Sequence, residues 1–136
     1  MAFLVDTSVW VDWLRDKHTP ETGWLKTAII RDVDMIVPGL VVTEVLRGMA
    51  TERHAQRMEY LLDQFPPAPA LEDLDYRDAA RLYRFCRGRG VTIPSTIDCL
   101  IAQLAIRHKL FLVTCDRDFQ AIARITPLVL ARLPAN

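Results

Sequence analysis

Two short apolar runs, each ending in a polar segment that holds a carboxylate, constrain this chain more than any other feature. Near the start, Ala2-Phe3-Leu4-Val5 runs into Asp6-Thr7-Ser8, and apolar spacing resumes at Val9, Trp10, Trp13 and Leu14. Near the other end, Leu110-Phe111-Leu112-Val113 runs into Thr114-Cys115-Asp116-Arg117-Asp118-Phe119. An unbroken apolar run of this length fits a strand buried on both faces, as inside a parallel sheet. Asp-Thr-Ser carries helix-capping chemistry, so the chain is expected to turn straight into a helix after the first run. Both strands then deliver a carboxylate to one edge of the sheet, the edge at which open α/β sheets bind ligands.

Between these runs, strand and helix signals alternate. Thr19-Pro20-Glu21 reads as an N-cap with proline at the first helical position, leading a helix through Trp24, Leu25, Ala28 and Ile29. Met35-Ile36-Val37 reads as a short strand ended by Pro38-Gly39, and Val41, Val42, Val45, Leu46 and Met49 form a helical stripe bordered by Glu44. A further helix is expected over about Glu52 to Leu62, then a proline-rich turn from Phe65 to Leu71 leading to a short edge strand. Tyr76, Ala79, Ala80 and Tyr83 predict the apolar face of a helix over about Asp75 to Arg87. Ser95 opens the next helix, with Ile97, Leu100, Ile101, Leu104, Ala105 and His108 on its core face, and Leu128-Val129-Leu130 is the last strand. The pattern predicts a three-layer α/β/α sandwich around a mostly parallel sheet, formed by the chain 1–136 as one domain.

Composition narrows the function classes. No apolar stretch approaches the ~18 to 20 residues of a membrane-spanning helix, and Asp6 interrupts the first run too early for a signal peptide. The cytoplasm is the expected compartment, with no membrane partner. Cys86, Cys99 and Cys115 show neither paired nor CxxC spacing, so no disulfide framework or zinc site is indicated. Formal net charge is zero, so any nucleic-acid binding must rest on local cations, and all but Lys17, Lys26 and Lys109 of the 17 basic residues are arginine.

Four carboxylates stand where a plain surface charge is not the easy reading: Asp6, Glu44, Asp98 and Asp116. Two follow apolar strands and two lie on otherwise apolar helices. Convergence would raise their pKa values by mutual repulsion unless a cation neutralises them. An oxygen-only donor set without histidine or cysteine favours Mg²⁺, with Mn²⁺ as a substitute, over zinc. Such a cluster suits hydrolysis of a phosphodiester by a metal-activated water.

Val5-Asp6-Thr7-Ser8, Thr43-Glu44-Val45-Leu46-Arg47-Gly48, Thr96-Ile97-Asp98-Cys99-Leu100-Ile101-Ala102 and Val113 to Phe119 resemble the successive motifs of the PIN-domain family. Their order and spacing are most similar to the VapC-type toxins of toxin–antitoxin pairs, over nearly the whole chain. The resemblance implies a five-stranded sheet in order 3-2-1-4-5, Mg²⁺-dependent endoribonuclease activity on RNA, a homodimer and inhibition by a VapB-like antitoxin. It places Asp6, Glu44, Asp98 and Asp116 in the acidic set, with Asp6 and Asp98 on the metal and Glu44 and Asp116 bound directly or through water. Thr7, Ser8 and Thr114 are supporting hydroxyls. Asp118 is either a fifth acid or, in place of Asp116, the fourth.

Structural roles compete with each assignment. Asp6 has cap chemistry, Ser95 to Asp98 reads as a capping box, and Glu44 has Arg47 on its own helix. Asp118 is expected to cap a short helix through Ile122, with Thr114 and Asp116 facing the cleft. Arg77, Arg81 and Arg84 read as a solvated face balanced by Asp73, Asp75 and Asp78, with RNA phosphates as the alternative. Trp10 and Trp13 read as core or dimer contacts, Cys99 and Cys115 as packing residues, and His108 as a partner of its helix's last carbonyls. A receiver-type signalling module would need an acid doublet where Asp6 stands alone. An aspartate-nucleophile phosphatase would need an aspartate where Ser8 stands. A catalytically silent PIN-like module binding RNA or protein is the remaining alternative.

Overall fold

The computed structural model describes residues 1–134. The first apolar run becomes β1 (Phe3–Val5), in which the consecutive residues Leu4 and Val5 are both fully buried. Neighbouring strand residues point to opposite faces, so both faces of this strand are covered. The chain then passes through α1 (Thr7–Leu14), α2 (Pro20–Ile30) and β2 (Met35–Ile36) to α3 (Gly39–Arg47), α4 (Glu52–Leu62), α5 (Asp73–Arg87) and α6 (Thr96–Arg107). It ends through β3 (Phe111–Val113), α7 (Arg117–Ile125) and β4 (Val129–Leu130). The sheet is wholly parallel in order β2-β1-β3-β4, flanked by helices. Among the described residues, no helix is long and apolar enough to cross a membrane.

Caps set the helix starts where the sequence predicts them. Thr19 and Thr22 form a reciprocal capping box at α2 with Pro20 at the first position, Thr51 caps α4, and Ser95 caps α6. Each satisfies N–H groups that the first helical turn leaves without partners. One core then forms around Leu4, Val5, Trp10, Leu25, Met35, Ile101 and Leu112.

Four details differ from the sequence expectations. The sheet has four strands among the described residues, not five, because the segment after Phe65 forms no strand. Pro66, Pro67 and Pro69 each lack the N–H that a ladder needs. The observed order is otherwise the expected one without its outermost strand.

The buried stripe of α5 is turned by one residue. Asp75, Ala79 and Cys86 are buried, while Tyr76 and Ala80 are exposed. Asp75, expected on a solvated face, is fully buried because Arg107 reaches it from α6 at 2.6 Å and also binds Glu72 at 2.9 Å. Finally, the His108 side chain does not bond the last carbonyls of α6: its backbone N–H donates to the Leu104 carbonyl, and its Nε2 is buried without a partner.

The Asp75 carboxylate accepts from the Glu72 N–H, Arg107 and Gln103. Burial raises its pKa, but these bonds prevail and hold it below the usual carboxylate value. Arg107→Ala should therefore strand a buried charge. The expected effect is a lower melting temperature, tempered by the access to water that Arg107 keeps. Thermal melting would show the loss at neutral pH, shrinking as the pH falls and the stranded carboxyl takes a proton. An unchanged melting temperature would contradict this account.

Candidate active site

The parallel register Val5↔Val113 sets the ends of β1 and β3 side by side, and the Asp6 N–H donates to the Val113 carbonyl at 3.0 Å. Asp6 thus leaves the sheet beside Thr114. Its carboxylate is only 4% exposed, and it makes no side-chain cap bond to α1 although its backbone holds the N-cap position. Instead Oδ2 accepts from Ser8 Oγ (2.8 Å) and Thr114 Oγ1 (2.9 Å). The competing cap role of Asp6 is therefore not what its side chain performs.

The same hydroxyls tie the two strand ends together. Ser8 Oγ accepts from the Cys115 N–H at 3.0 Å, and Thr114 Oγ1 accepts from the Asp116 N–H at 3.0 Å. Thr7, at the start of α1, donates to Glu44 Oε1 at 2.8 Å and so links α1 to α3. The three supporting hydroxyls each contact one of the predicted acids or its backbone. Their placement right after or two residues before an aspartate was the available sequence signal, but which acid each would hold was not.

Asp98 enters from the first turn of α6. The Ser95 hydroxyl accepts from the Asp98 N–H at 3.1 Å, but the reciprocal bond from the Ser95 N–H to the Asp98 side chain is not made. Only half of the expected capping box forms. Burial is the main cause that pushes the Asp98 carboxyl up to about 6. The Ser95 hydroxyl opposes this, while Asp6, Asp116 and Glu44 push it further upward. Asp98 therefore lies within electrostatic reach of the other three predicted acids.

Asp6 is likewise raised, first by burial and also by Asp116, against the hydroxyls of Ser8 and Thr114 and the Thr7 N–H. Among the described residues, none of the four acids forms an ion pair with arginine, lysine or histidine.

The segment after β3 distinguishes two neighbouring acids. Asp116 keeps an extended backbone and is itself the N-cap of α7, its Oδ1 accepting from the Asp118 N–H at 2.9 Å. This corrects the expectation that Asp118 caps the helix: α7 begins at Arg117, so Asp118 already lies inside its first turn. Asp118 is exposed, and its pKa is raised mainly by Asp116. Asp116 raises both Asp6 and Asp98.

The donor set fits a hard divalent cation in chemistry, being carboxylates and hydroxyls with no compensating positive charge. Among the described residues, no three acid, histidine or cysteine side chains are drawn close enough to hold an ion as they stand. To hold an ion these carboxylates would have to draw closer together. The thiols supply no soft ligand. Burial, with Asp12 and Glu21, pushes Cys115 up to about 12, and burial likewise raises Cys99. Both stay protonated at neutral pH, consistent with packing roles.

The profile of the PIN domain matches residues 3–125, so the chain belongs to the PIN-domain family. It is 36% identical over 128 residues to a VapC ribonuclease of Mycobacterium bovis and, equally, to ribonuclease VapC11 of Mycobacterium tuberculosis, covering 92% of this chain and 94% of each relative. Two solved structures share the fold with a TM-score of 0.75. One is VapBC2 of Rickettsia felis bound to a promoter DNA fragment, at 19% identity over 98% of this chain and 100% of that one. The other is DNA-bound VapBC of Salmonella typhimurium, at 16% identity over 96% and 97%.

The raised Asp98 value carries a consequence for stability without metal. A carboxyl whose folded value, about 6, exceeds its unfolded value of 3.8 keeps its proton longer in the folded state. Stability is then lost as the pH rises from about 4 to about 6 and levels off above that. In EDTA, Asp98→Asn should melt higher than wild type at neutral pH and show a smaller decline over that interval. Parallel melting curves for the two proteins would refute the crowding of charge at Asp98.

Proposed function

We propose that this chain is a Mg²⁺-dependent endoribonuclease of the VapC kind, the toxin of a toxin–antitoxin pair, acting in the cytoplasm. The observation that carries the reading is the set of four uncompensated acids at the carboxyl edge of the sheet, on a chain 36% identical to proteins named VapC ribonucleases. Asp6 and Asp98 hold the ion directly, and Glu44 and Asp116 hold it directly or through water. Ser8 and Thr114 fix Asp6 through Oδ2, and Thr7 fixes Glu44, so two ligands are oriented in advance. Bound Mg²⁺ supplies an activated water and neutralises charge building on the phosphate and the leaving oxygen. Asp98 gives up its proton as the ion binds, which makes ion affinity rise with pH through about 6.

A VapB-like antitoxin is the proposed inhibitor and a homodimer the proposed assembly. The solved neighbours are VapBC complexes. A groove of about 580 Å³ between α1, α3 and α4 has Val11, Trp13, Leu14, Met49, Met58 and Leu61 in its lining. An exposed apolar groove of this kind suits a protein partner.

Two measurements test the activity. Protein freed of any partner should cut single-stranded RNA with Mg²⁺ or Mn²⁺ and stop in EDTA, and Asp6→Asn should lower the rate on the order of a hundredfold or more. Metal-dependent cleavage that survives Asp6→Asn would sink the proposed site. RNA binding without any cleavage would leave the catalytically silent module as the better reading.

The roles of the two neighbouring acids separate in a second experiment. Asp116→Asn should abolish cleavage with little change in melting, because asparagine caps a helix about as well as aspartate. Asp118→Asn should leave both near wild type. The opposite ranking in an RNA cleavage assay would transfer the fourth acid to Asp118.

A further inference from the structure

Helices α5 and α6 pack on each other and are joined by residues 88–95, which places the last turns of α5 near the first turn of α6. Between them lies a groove of about 550 Å³, whose lining includes Tyr76, Tyr83, Arg84, Pro94, Ser95 and Thr96. Ser95 lines the groove and its Oγ accepts from the Asp98 N–H, so the groove borders the first turn of α6, the turn that carries Asp98.

We propose that this groove receives the single-stranded RNA beside the bond that is cut, with Arg84 on a backbone phosphate and Tyr76 and Tyr83 against the bases. The inference rests on the ribonuclease reading and adds to it the residues that hold the substrate. Four uncompensated acids repel a polyanion, so the strand needs cations flanking them. The arginines near this face are not equivalent. Arg81 is bound to Asp78 at 2.6 Å, and Arg107 is bound to Glu72 and Asp75. Arg84 is exposed, has no carboxylate partner among the described residues, and is the one charged side chain lining the groove.

Beside it, the Tyr83 ring has the Arg87 guanidinium 5.5 Å from its centroid, and the Tyr76 side chain is 53% exposed. Aromatic rings next to free guanidinium groups are the usual means of holding unpaired bases and their phosphates. The hydroxyls of Ser95 and Thr96 add phosphate-compatible donors.

The test measures binding and cleavage of one fluorescent, mixed-sequence single-stranded RNA. Binding is read by anisotropy in EDTA over a series of salt concentrations, and cleavage is read with Mn²⁺. Arg84→Gln should weaken binding about tenfold at low salt, lower the salt slope by roughly 0.7 for the one lost phosphate contact, and raise KM with kcat unchanged. Arg84→Lys should restore most of the slope, because a phosphate contact needs the charge. Tyr76→Ser, at an exposed position that leaves the core intact, should weaken binding about fivefold without altering the slope. Arg77→Gln, on the same helix but outside the groove, should behave as wild type.

If wild type binds and cuts while Arg84→Gln keeps wild-type affinity and slope, the subsite is elsewhere. A change of molar mass in light scattering on Arg84→Gln, with RNA binding unaltered, would assign the groove to a second copy and equally overturn the proposal. A wild type that neither binds nor cuts RNA would remove the ribonuclease reading, and this inference with it.

Discussion

A buried carboxylate met by hydroxyl donors is the constraint around which this molecule is arranged. Asp6 is nearly sealed from solvent, and burying a charge in that way is costly unless several donors replace the lost water. The donors come from both central strands: Ser8 follows β1, and Thr114 follows β3. That pair forms only in the observed register. A slip of one residue between β1 and β3 would turn the apolar side chains of one strand to the wrong face and carry the Thr114 hydroxyl away from Asp6. Packing of the sheet and solvation of the acid thus specify the same alignment.

The remaining acids reach Asp6 from elements anchored independently. Glu44 is held through Thr7, which makes α3 answer to the start of α1. Asp98 stands on α6, whose residues Cys99 to Ala105 are buried without interruption. A helix buried all round has little freedom to rotate, and the Arg107 bonds to Glu72 and Asp75 fix its far end to α5. The electrostatic strain at one end of α6 is therefore opposed by packing along its length and by a satisfied ion pair at the other end.

Much of this was legible in the sequence, for identifiable reasons. The two apolar runs gave both central strands because a doubly buried strand has few other ways to be written. The caps at Thr19 and Ser95 gave the starts of two helices because capping is local. What escaped depends on partners far along the chain. Asp75 was counted as solvent because nothing near it in sequence shows that Arg107 will arrive, and its charge hid the true buried stripe of α5. The outer strand is absent because Pro66, Pro67 and Pro69 withhold ladder donors, a long-range cost that a turn-like sequence does not display. The sequence singles out four acids, and the structure sets Asp98 within electrostatic reach of the other three, while the relation of Asp116 to Asp118 depends on the start of α7 at Arg117.

The central pair of strands is also the most distant in the chain. Phe3 finds its partner at Phe111, and the Asp6–Thr114 bond closes a loop of about the same span. A growing polypeptide therefore holds β1 with one side open until β3 emerges, able to pair with β2 but not with β3. Residues delivered at about 5 to 20 per second leave the nascent chain in that state for several seconds. Over that interval Asp6 lacks the Thr114 hydroxyl and Asp98 lacks Asp116 as a neighbour. The acidic edge is assembled only once β3 has emerged, so chains that stop short of β3 carry Asp6, Glu44 and Asp98 without Thr114 or Asp116.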